Sequence, residues 1–197
     1  MTDLPSPLHR VIDAIAFAAH AHRAQRRKDR DATPYINHPV GLVHILSEAG
    51  IDDADVLSAA ALHDYLEDCC GEEGQPTIAE GCDLLQRRFG PQVLAYVVAV
   101  SDDKALPKTE RKRLQVERAA HAPLGARLIK LADKTANLRD LADFPPVDWP
   151  TFRRRDYFDW AASVIAQVRG THAGLEALFD AAHARRPDQA TAGPGAM

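Results

Sequence analysis

The sequence predicts an all-α fold packed as one compact domain, and three observations carry that expectation. Apolar residues recur at helical spacing along nearly the whole chain, and nothing alternates convincingly with the period of two that marks a half-buried strand. Helix punctuation falls between the periodic stretches, as Ser6-Pro7, Gly50, Gly90-Pro91 and Pro145-Pro146. A length of 197 residues, 46% hydrophobic and 26% charged, suits one domain with a substantial core.

Taken in order, Ser6 and Pro7 read as N-cap and first residue of a helix carrying Val11, Ile12, Ile15, Ala16 and Ala19. A loop through residues 30–34 follows, and a second helix starts near His38-Pro39 and ends at Gly50. Asp52-Asp53 open a third helix, which runs through the apolar stretch Leu57 to Leu62 into the hexapeptide His63-Asp64-Tyr65-Leu66-Glu67-Asp68. Further helices fit 76–89, closed by Gly90-Pro91, and 91–101. Residues 107–121 read as a very polar, exposed helix. After Pro123 another helix runs through Leu128, Ile129, Leu131, Ala132, Leu138 and Leu141 until Pro145-Pro146 stop it. The last long helix covers 148–169, with Trp149, Tyr157, Phe158, Trp160, Val164 and Val168 as its apolar positions. A short helix after Gly170 completes a domain of residues 1–185, and residues 186–197 read as a disordered tail.

Composition excludes several classes of function. A net charge of -4 and a pI near 6.1 argue against a dedicated nucleic-acid binder. No apolar run approaches the roughly 18 residues that span a bilayer, and the start Met1-Thr2-Asp3-Leu4-Pro5 lacks the features of a signal peptide. Cys69, Cys70 and Cys82 form no Cys-x-x-Cys pair, so reduced cysteines in a cytoplasmic protein are the simplest reading.

The hexapeptide 63–68 holds one imidazole and three carboxylates. On a helix His63 and Glu67 share a face, as do Asp64 and Asp68. A solvated helix end is the plain alternative, but acids at a helix C-terminus oppose the macrodipole. Burying them instead requires a metal or a cationic ligand. His63 and Asp64 supply two ligands to such a metal. His38, at a loop-to-helix boundary, and Asp133, one acid inside an apolar helical face, are candidates for the rest. Alone, either residue reads as a satisfied core or surface group. Together the four make two imidazoles and two carboxylates, a set suited to Mn²⁺, with Fe²⁺ and Zn²⁺ not separable on ligand type.

These residues carry a family resemblance. The chain resembles the HD-type phosphohydrolases, and within them the hydrolase domain of RelA/SpoT proteins, in particular the small stand-alone alarmone hydrolases of the metazoan SpoT-homologue type. The matching segments are HRAQRRKD (22–29), PYINHP (34–39), AAALHDYLED (59–68), FG (89–90) and SDDK (101–104). They continue through ERKR (110–113), LIKLADK (128–134), NLRDL (137–141) and YFDW (157–160), so the likeness spans roughly residues 8–180 in order.

The resemblance implies a compact helical HD-domain phosphohydrolase that removes the 3′-pyrophosphate of (p)ppGpp, leaving GDP or GTP. It implies one Mn²⁺ held by His38, His63, Asp64 and Asp133, with Glu67 and Asp68 as the catalytic acidic pair. It also implies a nucleotide-binding set of Arg27, Lys28, Lys134, Asn137, Arg153 and Tyr157, with Arg27 against the base and Asn137 near the ribose. The rest of the basic run, Arg23, Arg26 and Arg30, reads as surface, and Asp102, Asp103 and Lys104 read as structural. The expected partner is a small-molecule nucleotide, with no nucleic acid and no membrane; the oligomeric state is not legible. A hydrolase of this length without a following synthetase domain would degrade alarmone and not make it.

Three positions depart from the family pattern. Tyr65 stands where a Thr is usual, Ala136 replaces an aromatic residue or His beside Asn137, and Ala32 takes the place of a loop Gly. Tyr65 and Ala136 are expected to reshape the nucleobase pocket, which raises adenosine alarmones, (p)ppApp, as alternative substrates. A NADPH 2′-phosphatase is a second enzymatic alternative, and a non-catalytic alarmone-binding module is the alternative of another class.

Overall fold

Among residues 6–188, the span that the computed structural model describes, all regular secondary structure is helical apart from one isolated bridge between Arg26 and Pro34. The elements are α1 (Pro7–Ala21), α2 (Asn37–Glu48), α3 (Ala54–Leu62), α4 (Tyr65–Asp68), α5 (Ile78–Phe89), α6 (Pro91–Val100), α7 (Lys108–Ala119), α8 (Leu124–Asp143), α9 (Thr151–Ala166) and α10 (Ala173–His183). Their ends follow local chemistry. His9 N–H donates to the Ser6 side chain, Asp53 accepts from Asp55 and Val56 N–H, and Thr77 with Glu80 forms a reciprocal capping box. Gly90 takes φ 92°, a value that favours glycine, and turns α5 directly into α6 at Pro91.

The core is built around α3 and α8. Helix α3 packs on α1, α2, α6 and α8, and α8 also meets α2, α6, α9 and α10. Ala59, Ala60, Leu62, Ile129, Leu131 and Ala132 are fully buried at this crossing. Small side chains on α3 let neighbouring helices approach closely, and the site residues stand at the ends of that tightly packed segment. No helix among the described residues is long and apolar enough to cross a membrane.

Four sequence expectations are modified. The third helix stops at Leu62, and His63 and Asp64 form a turn before the single-turn helix α4, so the hexapeptide straddles a break. The polar helix α7 is only partly exposed: Arg111, Lys112, Gln115 and Val116 are half-buried on one face. The last long helix begins at Thr151, not 148, because a residue preceding a proline is driven out of the helical region and Pro150 follows Trp149. Tyr65 is 4% exposed, in edge contact with Phe17 at a centroid distance of 5.0 Å, and belongs to the core and not to a nucleobase pocket. Residues 189–197, most of the segment read as a disordered tail, lie outside the described residues; within that segment Arg186 pairs with Asp159 at 2.6 Å.

Candidate active site

The break between α3 and α4 aims His63 and Asp64 at α2 and α8, where His38 and Asp133 stand. His63 Nδ1–H donates to the Ala60 carbonyl at 2.8 Å, one turn back along α3. That bond leaves Nε2 turned into the site, 2.9 Å from Asp64 Oδ2. Burial works to lower His63, but the Asp64 carboxylate outweighs it and pushes the imidazole up to about 9, so without a metal Nε2 carries a proton. His38 Nε2 lies 3.3 Å from Asp133 Oδ1 and 3.9 Å from Asp64 Oδ2, and His63 Nε2 lies 4.0 Å from Asp133 Oδ1. Ligand atoms of His38, His63 and Asp64 all fall within 4.8 Å of one another. Two imidazole nitrogens and two carboxylates converge here, and a divalent cation can take the place of the proton on His63 Nε2, so these donors fit a divalent metal.

The surroundings hold the two carboxylates ionised. Burial works to raise Asp64, but His63 and His38 outweigh it and keep the carboxyl well below the usual range. Burial likewise opposes ionisation of Asp133, and Lys134 with His38 overcomes it. Each carboxylate is also fixed by hydrogen bonds: Tyr35 Oη donates to Asp64 Oδ2 at 2.5 Å, Asn137 Nδ2 donates to Asp133 Oδ1 at 2.5 Å, and Lys134 Nζ donates to Asp133 Oδ2 at 2.8 Å.

One turn beyond Asp64, Glu67 and Asp68 face the same cavity. Burial, aided by the charge of Asp64, pushes the Glu67 carboxyl up to about 7, against a hydrogen bond from the Asp102 backbone N–H. That bond is 2.5 Å long, and Gln115 holds Asp102 in turn by donating to Oδ2 at 2.7 Å. Asp68 pairs with Lys104 at 2.5 Å. Its backbone carbonyl accepts from Gln25 Nε2 at 2.7 Å, while Gln25 Oε1 accepts from the buried His22 at 2.6 Å.

Three adjoining cavities surround this centre. The innermost, about 250 Å³, holds His38, His63, Asp64, Glu67, Asp68 and Asp133 together with Lys130, Lys134 and Tyr157. On one side it shares Arg27, Tyr35, His38 and Asn137 with a larger cavity of about 520 Å³, which Lys28, Ala136 and Trp149 also line. On the other side it shares Gln115, Tyr157 and Trp160 with a basic cavity of about 240 Å³ that contains Lys108, Arg111, Lys112 and Arg153. Aromatic faces carry several of these cations: Arg153 lies 4.1 Å from the Trp149 ring centre, and Lys112 and Lys134 each lie 4.6 Å from that of Trp160.

Residues 14–156 match the HD domain family. The chain belongs to the HD-domain family. Among curated relatives, this HD-domain protein is 51% identical over 167 residues to the guanosine-3′,5′-bis(diphosphate) 3′-pyrophosphohydrolase MESH1 of Mus musculus, covering 84% of this chain and 88% of the relative. It is 47% identical over 175 residues to the protein of the same name from Drosophila melanogaster, covering 88% and 93%. A bifunctional (p)ppGpp synthase/hydrolase, SpoT of Escherichia coli, is 34% identical over 145 residues, 71% of this chain and 19% of the relative. A solved structure described as a metazoan ortholog of SpoT that hydrolyzes ppGpp and plays a role in starvation responses superposes with a TM-score of 0.82 at 44% identity, covering 94% of this chain and 98% of that one. HD domains are metal-dependent phosphohydrolases, which accords with the donor set described above.

All twelve site residues named from the sequence lie around the three cavities, but their surroundings differ from a simple list of contacts. The Arg27 guanidinium is held by Asp140 at 2.5 Å and stands 5.9 Å from the Tyr35 ring centre, so it presents a fixed plane to the large cavity. The Lys134 ammonium and the Asn137 amide are both engaged with Asp133. Asp102 and Lys104, read from the sequence as structural, are the groups that grip Glu67 and Asp68. Sequence reasoning missed Tyr35, Lys108, Arg111, Lys112, Gln115 and Lys130 in this HD domain. The available signal was their position inside the motifs PYINHP, ERKR and LIKLADK or next to them.

Proposed function

We propose that this protein is a guanosine-3′,5′-bis(diphosphate) 3′-pyrophosphohydrolase, using Mn²⁺ held by His38, His63, Asp64 and Asp133. The observation that carries the reading is the match between the three adjoining cavities and the three parts of such a nucleotide, supported by relatives of that name at about half identity. The 520 Å³ cavity, with the Arg27 plane and Lys28, takes the base and sugar; the inner cavity takes the 3′-diphosphate; and the basic cavity with Lys108 and Arg153 takes the 5′-phosphates.

His38, His63, Asp64 and Asp133 would hold the divalent cation, which when bound would supply Lewis-acid polarisation of a phosphoryl oxygen and a more acidic water. Glu67, fixed by Asp102 N–H, takes a proton from the attacking water. The water oxygen bonds to the phosphorus next to the ribose 3′ oxygen, and the bond from that phosphorus to the 3′ oxygen breaks. The proton that Glu67 took is returned to the 3′ oxygen, which becomes the ribose hydroxyl, and pyrophosphate is released. Asp68, anchored by Lys104 and by Gln25 at its carbonyl, orients the water beside Glu67. Three free cysteines support a reducing compartment, the cytoplasm.

Ala136, at the wall of the large cavity, keeps base preference a matter for measurement. Manganese-loaded protein is incubated in parallel with ppGpp, ppApp and NADPH, and the products are identified. Pyrophosphate and GDP from ppGpp are expected. Orthophosphate from NADPH with no turnover of ppGpp would transfer the assignment to a 2′-phosphatase, and binding without turnover would reduce the protein to an alarmone-binding module.

A further inference from the structure

One lysine inside the cleft has no partner. Lys130 is 6% exposed, yet among the described residues no carboxylate lies within ion-pairing distance of its ammonium and no acceptor within hydrogen-bonding distance. The other lysine and the arginine that line the inner cavity are engaged, Lys134 with Asp133 and Arg27 with Asp140. Lys130 stands one helical turn before Asp133 on α8 and lines the same cavity as Glu67 and Asp133.

Burial of an unpaired ammonium is costly, and here it pushes the Lys130 pKa down to about 8, with Lys134 adding to the effect against Asp133, Asp102 and Glu67. An apolar side chain of equal length would fill the position at lower cost. What the apolar chain lacks is a positive charge facing the point where a phosphoryl group would sit between Glu67 and the His-Asp centre.

We propose that Lys130 is a further catalytic residue of the hydrolysis proposed above: its ammonium grips the non-bridging oxygens of the scissile 3′-phosphoryl group as negative charge gathers there. This assignment rests on the pyrophosphohydrolase reading. It differs from the sequence expectation for the neighbouring Lys134, whose ammonium can reach substrate only by releasing a proposed metal ligand. A buried cation already beside the position where charge develops stabilises the transition state more than the ground state, so the effect belongs in kcat.

The experiment compares wild type, Lys130→Met and Lys130→Arg, each loaded with manganese and assayed for pyrophosphate release from ppGpp. No release by wild type refutes the functional reading itself, before any variant is made. Given wild-type turnover, Lys130→Met is expected to lower kcat by about 100-fold or more, with KM changed only a few-fold. Lys130→Arg is expected to recover at least about tenfold of that loss. Bound manganese is expected to stay at the wild-type stoichiometry, and the thermal midpoint of Lys130→Met to equal or exceed that of wild type. A Lys130→Met protein with kcat within about fivefold of wild type overturns the proposal. So does a loss of manganese in step with the loss of kcat, or a variant that fails to fold, since either makes the ammonium part of the structure and not of the reaction.

Discussion

Replacing Glu67 by Gln should remove turnover and, in metal-free protein at alkaline pH, make the fold more stable. Burial raises the Glu67 carboxyl from its ordinary 4.5 to about 7, with the charge of Asp64 as the next cause. The folded state therefore holds this proton more tightly than the unfolded chain does. Its contribution is fully present below pH 4.5, is lost as the pH rises through about 7, and leaves an ionised carboxylate in the cleft above that. The difference corresponds to about 3 kcal/mol. Gln is isosteric with the protonated acid, and its amide oxygen can still accept the Asp102 N–H, so the variant escapes this cost. Urea unfolding of chelator-treated wild type and Glu67→Gln should give equal stabilities near pH 4.5 and a gap of about 3 kcal/mol in favour of the variant near pH 8. In the manganese-loaded protein the same substitution should cost about 10²- to 10⁴-fold in kcat. A variant equal to or less stable than wild type near pH 8 would refute the desolvation argument, and wild-type turnover would refute the assignment as base.

Chelation of the metal should abolish turnover and lower the thermal midpoint; manganese at about 100 times its dissociation constant should restore both, the stability by about 2.7 kcal/mol. Ala32 holds φ 47°, a left-handed value that disfavours a side chain, so Ala32→Gly should stabilise the fold by about 1 kcal/mol and raise the melting midpoint by a few degrees. Tyr65→Thr should destabilise by about 3 kcal/mol in urea unfolding, by emptying core volume, while the ratio of kcat/KM for ppGpp and ppApp stays at the wild-type value.

The fold was legible wherever punctuation is local. Ser6, Thr77, Gly90-Pro91 and Pro145-Pro146 each act through their own backbone geometry, and each bounds a helix as the sequence implies. The break at His63-Asp64 was not legible, because an uninterrupted helical pattern runs across it and no Gly or Pro marks it. The inner face of α7 was hidden for a related reason. Apolar periodicity reports faces buried against apolar cores, whereas Arg111, Lys112 and Gln115 face a polar cavity and read as solvated. Residue type pointed to the metal-ligand candidates, since a His-Asp pair at the end of an apolar helix demands compensation. It gave no hint that Lys134 and Asn137 both turn toward Asp133, since those contacts depend on rotamers within a single helix.

The place of Tyr65 separates the departures from the family pattern into two kinds. Its ring packs on Phe17 and near Gly81 of α5, where a Cβ would lie 3.6 Å from Tyr65 Cε1, an ordinary contact, and would crowd Cys70 Sγ at 2.6 Å and Leu66 Cδ2 at 3.0 Å instead. Tyr65 is thus accommodated by ordinary core packing and lines none of the three cavities around the proposed catalytic carboxylates. Ala136 differs, because it lines the 520 Å³ cavity, and the volume missing there remains open to the ligand. A difference in base preference between this protein and its relatives therefore has to be sought on α8, in the space beside Asn137, and not in the HD motif itself.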